Sequence, residues 1–416
     1  MIMRMQKLFV AALLAIAPAA HSQDIAVRGQ IVYPVSGAPI ADGVVVVRDG
    51  KIAAIGPSNR VRIPAGMDVV EAAVVTPGLI DAHSVVGLAG YLNQPHDQDQ
   101  LERSEAIQPE LRAVDAYNAR EALIEWLRGF GVTTVHTGHA PGEVISGQTM
   151  IAKTTGGTVA ESVIVPLAMV AATLGEGALV QAPNGRKSPG NRSKAVAMLR
   201  AEFVKARAYA EKMASADDNG NGDEKNGKPT RDLRMEALSA VLNGEIPLLV
   251  TVHRHNDIMT ALRLQQEFGF RLILDGAAES YLVLDEIKNA SVPVLVHPSM
   301  ARAFGASENM SFTTPASLAA AGIPFAFQSG FEAYVPKTRV VLFEAAIALQ
   351  HGLSFDQTLA GLTIEAAKIL GIEDRVGSLE IGKDGDLALY DGDPFEYTTH
   401  AVGTVIDGVQ VSTEPR

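Results

Sequence analysis

Between Gly78 and Gly330 the chain repeats one kind of alternation. Short strand-like runs, several of them near-continuously apolar, are separated by stretches with helical spacing. The runs are GLIDAHS, GVTTVHTG, TMIAKT, PLAMVAATLG, IPLLVTVH, RLILDG, VPVLVHP and IPFAFQSG. Strands apolar on both faces belong in a parallel sheet covered on both sides. Strand–helix alternation over this length predicts an α/β fold, a (β/α)8 barrel over 77–375 with a doubly wound open sheet as the alternative. Val196, Leu199, Phe203, Ala206, Ala210 and Met213 recur at helical spacing and predict one of the helices. Ser354 with Gln357 makes a capping box, and Gly371 supplies a helix stop.

The two ends of the chain differ from the middle and resemble each other. DIAVRGQIVYP, GVVVVRDGKIAAIG and MDVVEAAVV are rich in Val and Ile between turn residues. GDLALYDGDP and AVGTVIDGVQV have the same texture near the C-terminus. RDGK is a strong hairpin signal. Residues 24–76 and 376–416 are therefore expected to meet in a small composite β-sandwich.

Residues 1–22 read as an export signal. Arg4 and Lys7 precede a short apolar core, and small residues stand before Gln23. The expected location is periplasmic or secreted, with no membrane association after cleavage. The 416 residues contain no cysteine, which removes disulfides, thiolate ligands and a cysteine nucleophile. A formal charge of −12 disfavours nucleic acid as a partner and leaves a small-molecule substrate as the expectation, with a homo-oligomer open. QAPNGRKSPGNR and SADDNGNGDEKNGKPTRD read as exposed loops, and the basic residues from Arg186 to Lys212 as a solvated helix face rather than an anion-docking site.

Of ten histidines, His83, His136, His139, His253, His255 and His297 fall at or just past the carboxyl ends of predicted strands. In a barrel these ends line one mouth, where chemistry is found. Asp275, Glu279 and Glu332 are expected near the same rim, and Arg302, Lys337 and Arg339 offer cations for a substrate carboxylate. DQDQLE lacks the glycine and spacing of a calcium loop and reads as a solvated acidic lid. Lys153 could be a carbamylated ligand but reads rather as a strand-end lysine facing solvent or a carboxylate.

VVTPGLIDAHS, GVTTV, TVHRHNDIMTALRLQQEFGF and TIEAAKILGIEDRVGSLEIGKDGDLALYDGDP together resemble the amidohydrolase superfamily, closest to its exported, imidazolonepropionase-like members. The resemblance implies a metal-dependent hydrolase of non-peptide carbon–nitrogen bonds, often in cyclic amides. A bound divalent ion, zinc being the expected one, lowers the pKa of its water from about 16 to roughly 7. Carried over residue by residue, the resemblance implies His83 and His253 as metal ligands. The second histidine of its His-x-His motif falls on Val85. The fourth-strand lysine falls near Ala171, the sixth-strand histidine near Gly276 and the eighth-strand aspartate near Gly330. Catalytic zinc normally takes three protein ligands.

Three readings follow. A rebuilt site would hold one ion on His83, His253 and His255, with Asp275 or Glu332 as the base, His297 in a catalytic role, and His136, His139, Arg302 and Lys337 at the substrate. A metal-free enzyme would use a histidine–carboxylate pair. A binding or scaffold protein would keep the mouth and lose turnover.

Overall fold

The similar ends of the chain do share one sheet, and the middle is inserted between them. The computed structural model describes residues 24–92, 94–179, 188–218, 230–299, 303–331 and 341–416. The expected export segment, most of the two polar stretches, and Arg302, Glu332, Lys337 and Arg339 lie outside the described residues.

In chain order the strands are β1 (Ile25–Val32), β2 (Ile40–Arg48), β3 (Lys51–Pro57) and β4 (Asp68–Pro77), then β5 (Leu79–Ser84), β6 (Val132–Gly138), β7 (Ile145–Lys153), β8 (Val163–Val165) and β9 (Val170–Thr173). They continue as β10 (Leu248–Val252), β11 (Leu272–Gly276), β12 (Val294–Val296) and β13 (Phe325–Phe327), and end with β14 (Leu387–Tyr390), β15 (Ala401–Ile406) and β16 (Val409–Ser412). Strands β1–β4 and β14–β16 form one seven-stranded sheet in the order β16-β15-β14-β4-β1-β2-β3. RDGK makes the predicted hairpin: Arg48 pairs with Lys51, and Asp49 (φ 48°) and Gly50 (φ 75°) are both left-handed. That backbone pair matches the twist of the strands it joins.

The second sheet runs β13-β12-β11-β10-β9-β7-β6-β5, with β8 paired to β7 outside this path. It curls until its ends are adjacent, and Gly330 N–H donates to the His83 carbonyl at 3.1 Å beyond the end of β13. The barrel is thus nearly closed, but it departs from the expected all-parallel (β/α)8 arrangement. Strand β7 is antiparallel to both β6 and β9. The reason is local: only a short loop joins β6 to β7, and a parallel return needs a crossover of a dozen or more residues.

Helices cover the outside. Arg192–Asp218 is the helix predicted from its spacing, with Leu199, Phe203 and Ala206 fully buried. The Ser354–Gln357 capping box opens the helix Phe355–Gly361. Gly371, at φ 70°, ends the helix Ile364–Leu370.

Strand alternation then fixes what the barrel encloses. Ile80, Leu249, Ile273, Leu295 and Ala326 belong to one interior apolar cluster. Side chains two residues further along share their face. Those positions are Ala82 on β5, which stays apolar, and Thr251, Asp275, His297 and Gln328 on the other four, so on those strands the apolar layer gives way to a polar one toward the mouth.

Candidate functional site

Asp275 is the centre of that polar layer. Its side chain is 3% exposed. The ring Nδ1–H of His83 donates to Asp275 Oδ1 at 3.0 Å, and Gln328 Nε2 donates to the same oxygen at 2.8 Å. Thr251 Oγ1 donates to Oδ2 at 2.5 Å. Gln328 Nε2 also donates to the Leu295 carbonyl at 2.9 Å, and two acceptors on one nitrogen fix the orientation of the amide.

Burial alone would raise the Asp275 carboxyl. The His83 charge and the three hydrogen bonds outweigh burial and hold it below the usual carboxylate range. Burial opposes charge on His83 too, but Asp275 and then Asp81 raise it above an ordinary imidazole. Because Asp275 is a carboxylate, Nδ1 of His83 carries the proton. Its Nε2 is buried with no hydrogen-bond partner among the described residues.

Asp81 holds the backbone around this pair. It accepts from Ser329 N at 3.0 Å, from Ser329 Oγ at 2.5 Å and from His83 N at 3.3 Å. Burial pushes Asp81 up to about 6 against those bonds.

The other candidate histidines have separate environments. His136 is buried, with Nδ1 2.7 Å from the Ala82 carbonyl and Nε2 2.7 Å from Thr149 Oγ1. A carbonyl only accepts, so Nδ1 is the protonated nitrogen and Nε2 takes the threonine hydroxyl. Burial pushes His136 down to about 3, which keeps it neutral. His253 lies past the end of β10, and its Nδ1 has no partner among the described residues. Burial lowers it, against the pull of Asp275 and Asp257. His297 follows β12, and burial pushes it down to about 4. The backbones of Pro298 and Ser311 approach its ring without a well-formed hydrogen bond to either nitrogen. His139 packs over Gly147, where a Cβ would lie 2.3 Å from its Cδ2. Its ring nitrogens are likewise buried without partners among the described residues.

His255 opens the helix His255–Phe268 and turns to Glu279, with Nδ1 2.8 Å from Oε2. Its side chain is 56% exposed. Glu279 also accepts from Asn309 Nδ2 at 2.7 Å. Lys153 lies at the opposite end of the barrel, because β7 runs against its neighbours. There it pairs with Asp384 (2.8 Å), Asp386 (3.2 Å) and Asp407, and ties the barrel to the seven-stranded sheet.

The residues present do not fit the ion that the sequence resemblance implies. Val85 belongs to an apolar cluster with Ala89, Ala140, Leu101 and Phe331. Ala171 is buried and carries no donor atom. A Cβ on Gly276 would lie 2.5 Å from His253 Cε1, and one on Gly330 would lie 2.5 Å from Pro298 Cγ. Both glycines are left-handed, at φ 77° and 70°. Among the described residues, no group of three His, Asp or Glu side chains is arranged to hold a metal.

Thr251, Gln328, Thr149 and the Asp81–Ser329 contact escape a reading that looks for histidines and acids. Strand parity is the signal that finds two of them, Thr251 and Gln328. A polar residue two places beyond the inward apolar residue on β10, β11, β12 and β13 marks Thr251, Asp275, His297 and Gln328.

Comparison with known proteins agrees with this architecture. A sequence model of the Amidohydrolase family matches residues 290–412. The amidohydrolase tasK of Hapsidospora irregularis is 25% identical over 398 residues, 90% of this chain and 40% of that protein. The chain thus spans well under half the length of that relative. An imidazolonepropionase of Mesorhizobium japonicum is 46% identical over 56 residues, 14% of each chain. The solved structure of an amidohydrolase from Thermotoga maritima MSB8 superposes with a TM-score of 0.87 at 28% identity, covering 94% of this chain and 100% of that one. With the split sheet, the nearly closed barrel and the PGLIDAH segment at its mouth, these likenesses lead to one assignment: the chain belongs to the amidohydrolase superfamily.

Proposed function

We propose that this protein hydrolyses a carbon–nitrogen bond in a small amide or cyclic amide, with His83 as general base and Asp275 as the residue that orients it. One observation carries the reading: the 3.0 Å Nδ1–carboxylate contact fixes the tautomer of His83 and leaves Nε2 without a partner among the described residues. A carboxylate behind an imidazole is how a histidine is held to move a proton at its other nitrogen. Neutral His83 takes a proton from water at Nε2 while the water oxygen bonds to the carbonyl carbon. It returns that proton to the departing nitrogen as the C–N bond breaks. His297, kept neutral by burial, offers an N–H to the carbonyl oxygen.

Superfamily membership and the names of the relatives support a C–N hydrolase, and the short imidazolonepropionase likeness favours a cyclic amide. In the same reading His139, Arg302 and Lys337 contact substrate, and Glu332 is a second candidate base. The protein acts after export on a soluble small molecule.

The test is turnover of a panel of N-acyl amino acids, dipeptides, lactams and hydantoin-like rings, in buffers with and without added zinc or manganese. Hydrolysis without added ions that falls at least about 100-fold in His83→Ala supports the assignment. A second reading, binding without turnover, is favoured by the apolar surroundings of Val85. It gains if a ligand binds, nothing is hydrolysed, and His83→Ala leaves binding intact.

A further inference from the structure

We propose that the Asp275 carboxylate, not a metal ion, is the cross-link that holds the barrel mouth together. Three donors converge on its two oxygens: His83 from β5, Thr251 from β10 and Gln328 from just past β13. Gln328 reaches on to the Leu295 carbonyl of β12. One side chain on β11 thus ties the ends of five strands of the barrel.

The polarity of this arrangement decides the matter. A cation needs lone pairs pointing inward from several ligands. Here N–H and O–H groups point inward at one anion, so the Asp275 oxygens that a cation would take are already engaged. His83 is committed to Asp275 through Nδ1, and its open Nε2 belongs to no group of three His, Asp or Glu side chains arranged around a cation among the described residues. The room that side chains at Gly276 and Gly330 would need is filled by the His253 ring and by Pro298. A ligand therefore cannot be restored at either place without moving its neighbour.

The inference extends the hydrolase reading but does not depend on turnover. The experiment uses the mature full-length protein, produced without a histidine tag in metal-replete medium. Elemental mass spectrometry measures bound zinc, manganese, iron, cobalt and nickel. Melting is then followed with and without a strong chelator, and with added zinc.

The expected result is a metal content far below one ion per chain and a melting temperature that neither chelator nor zinc moves. Asp275→Ala should lower the melting temperature by roughly 5 °C or more, and Thr251→Val and Gln328→Leu by about 2–4 °C each. The two milder variants keep the test decisive if Asp275→Ala does not fold. About one ion per chain, lost in His83→Ala with a chelator-sensitive melt, overturns the proposal. So does an Asp275→Ala variant that melts like the parent. A metal-free, stable chain that hydrolyses nothing keeps this proposal and sinks the hydrolase reading. A metal-loaded chain that hydrolyses amides does the reverse.

Discussion

The barrel has a buried charged cluster at each end, and the two are built differently. At the closed end, Lys153 meets Asp384, Asp386 and Asp407, and Asp384 is held further by Lys51 and by Arg375 at 3.0 Å. Within that set, Asp386 Oδ2 is the one oxygen buried without a partner. At the mouth, Asp275 is saturated, but His83 Nε2, His253 Nδ1 and both nitrogens of His297 are buried without partners among the described residues. An unpaired buried polar atom costs about 1–3 kcal/mol. A cluster that closes its hydrogen bonds is a clasp. One that leaves several open on a single rim has the character of a site, where stability gives way to chemistry.

That contrast is broken most sharply at Lys153. Burial opposes its charge, yet the three aspartates raise its pKa well above the ordinary lysine value. Lys153→Met would leave buried Asp386 without its cation and Asp384 with Lys51 and Arg375 alone, and removing one partner of a buried pair costs about 3–5 kcal/mol. The expected outcome is a lowered urea midpoint, with the seven-stranded sheet losing its hold on the barrel. Near-parental stability would mean that the clasp is not one.

The mouth should respond in the opposite sense. His83→Ala is expected to remove turnover by about 100- to 10,000-fold. Its melting temperature should fall less than that of Lys153→Met. Activity should also rise with pH, because the base must be neutral and Asp275 holds His83 above the ordinary imidazole value. Linkage gives the matching loss. A group whose folded pKa is raised contributes stability below its unfolded value of about 6.5, and loses that contribution as pH climbs through the folded value. Activity and the stability of this pair should therefore move oppositely on the alkaline side. A pH–rate profile that falls there rejects His83 as base.

Much of this was legible in the sequence, and the reasons are local. The RDGK hairpin, the capping box at Ser354 and the stop at Gly371 depend on a few adjacent residues, and each formed as its chemistry dictates. The common texture of the two chain ends announced that they meet, and where a small sandwich was expected they form one seven-stranded sheet. The reversal of β7 was hidden, because nothing in the composition of TMIAKT records direction. Loop length before it was the available clue. At the site, single residue types were readable and their pairing was not. His83 and Asp275 stood out as candidates, but 192 residues separate them. Thr251 and Gln328 carry only a strand-parity signal, which names no chemistry until the barrel aligns them. Val85, Gly276 and Gly330 announced a departure from the resemblance, but only packing shows that His253 and Pro298 have filled the space.

The smallest expected effect concerns acid. Burial pushes His136 down to about 3 and His297 down to about 4, and lowers His139 and His253 as well. Their unfolded value is about 6.5. As pH falls below that, the unfolded chain takes up protons that these rings refuse, so stability is lost from about pH 6.5 downward. Asp81 and Asp386, both pushed up to about 6 by burial, act the other way. They bind protons in the folded state first, so the folded chain gains stability as pH falls through that value. His83, whose raised value also favours the folded state as pH falls, has made its full contribution just below its unfolded value of about 6.5, and from there four rings against two carboxyls leave a net loss on acidification that begins well above the usual carboxylate range. Replacing His136 by glutamine removes one of those rings and keeps a hydrogen-bonding side chain. It should flatten the dependence of unfolding free energy on pH by up to about 1.4 kcal/mol per pH unit between about pH 6 and pH 4. Urea titrations at several pH values across that window measure the slope directly. An unchanged slope in His136→Gln would show that acid sensitivity comes from carboxylates elsewhere and not from the mouth.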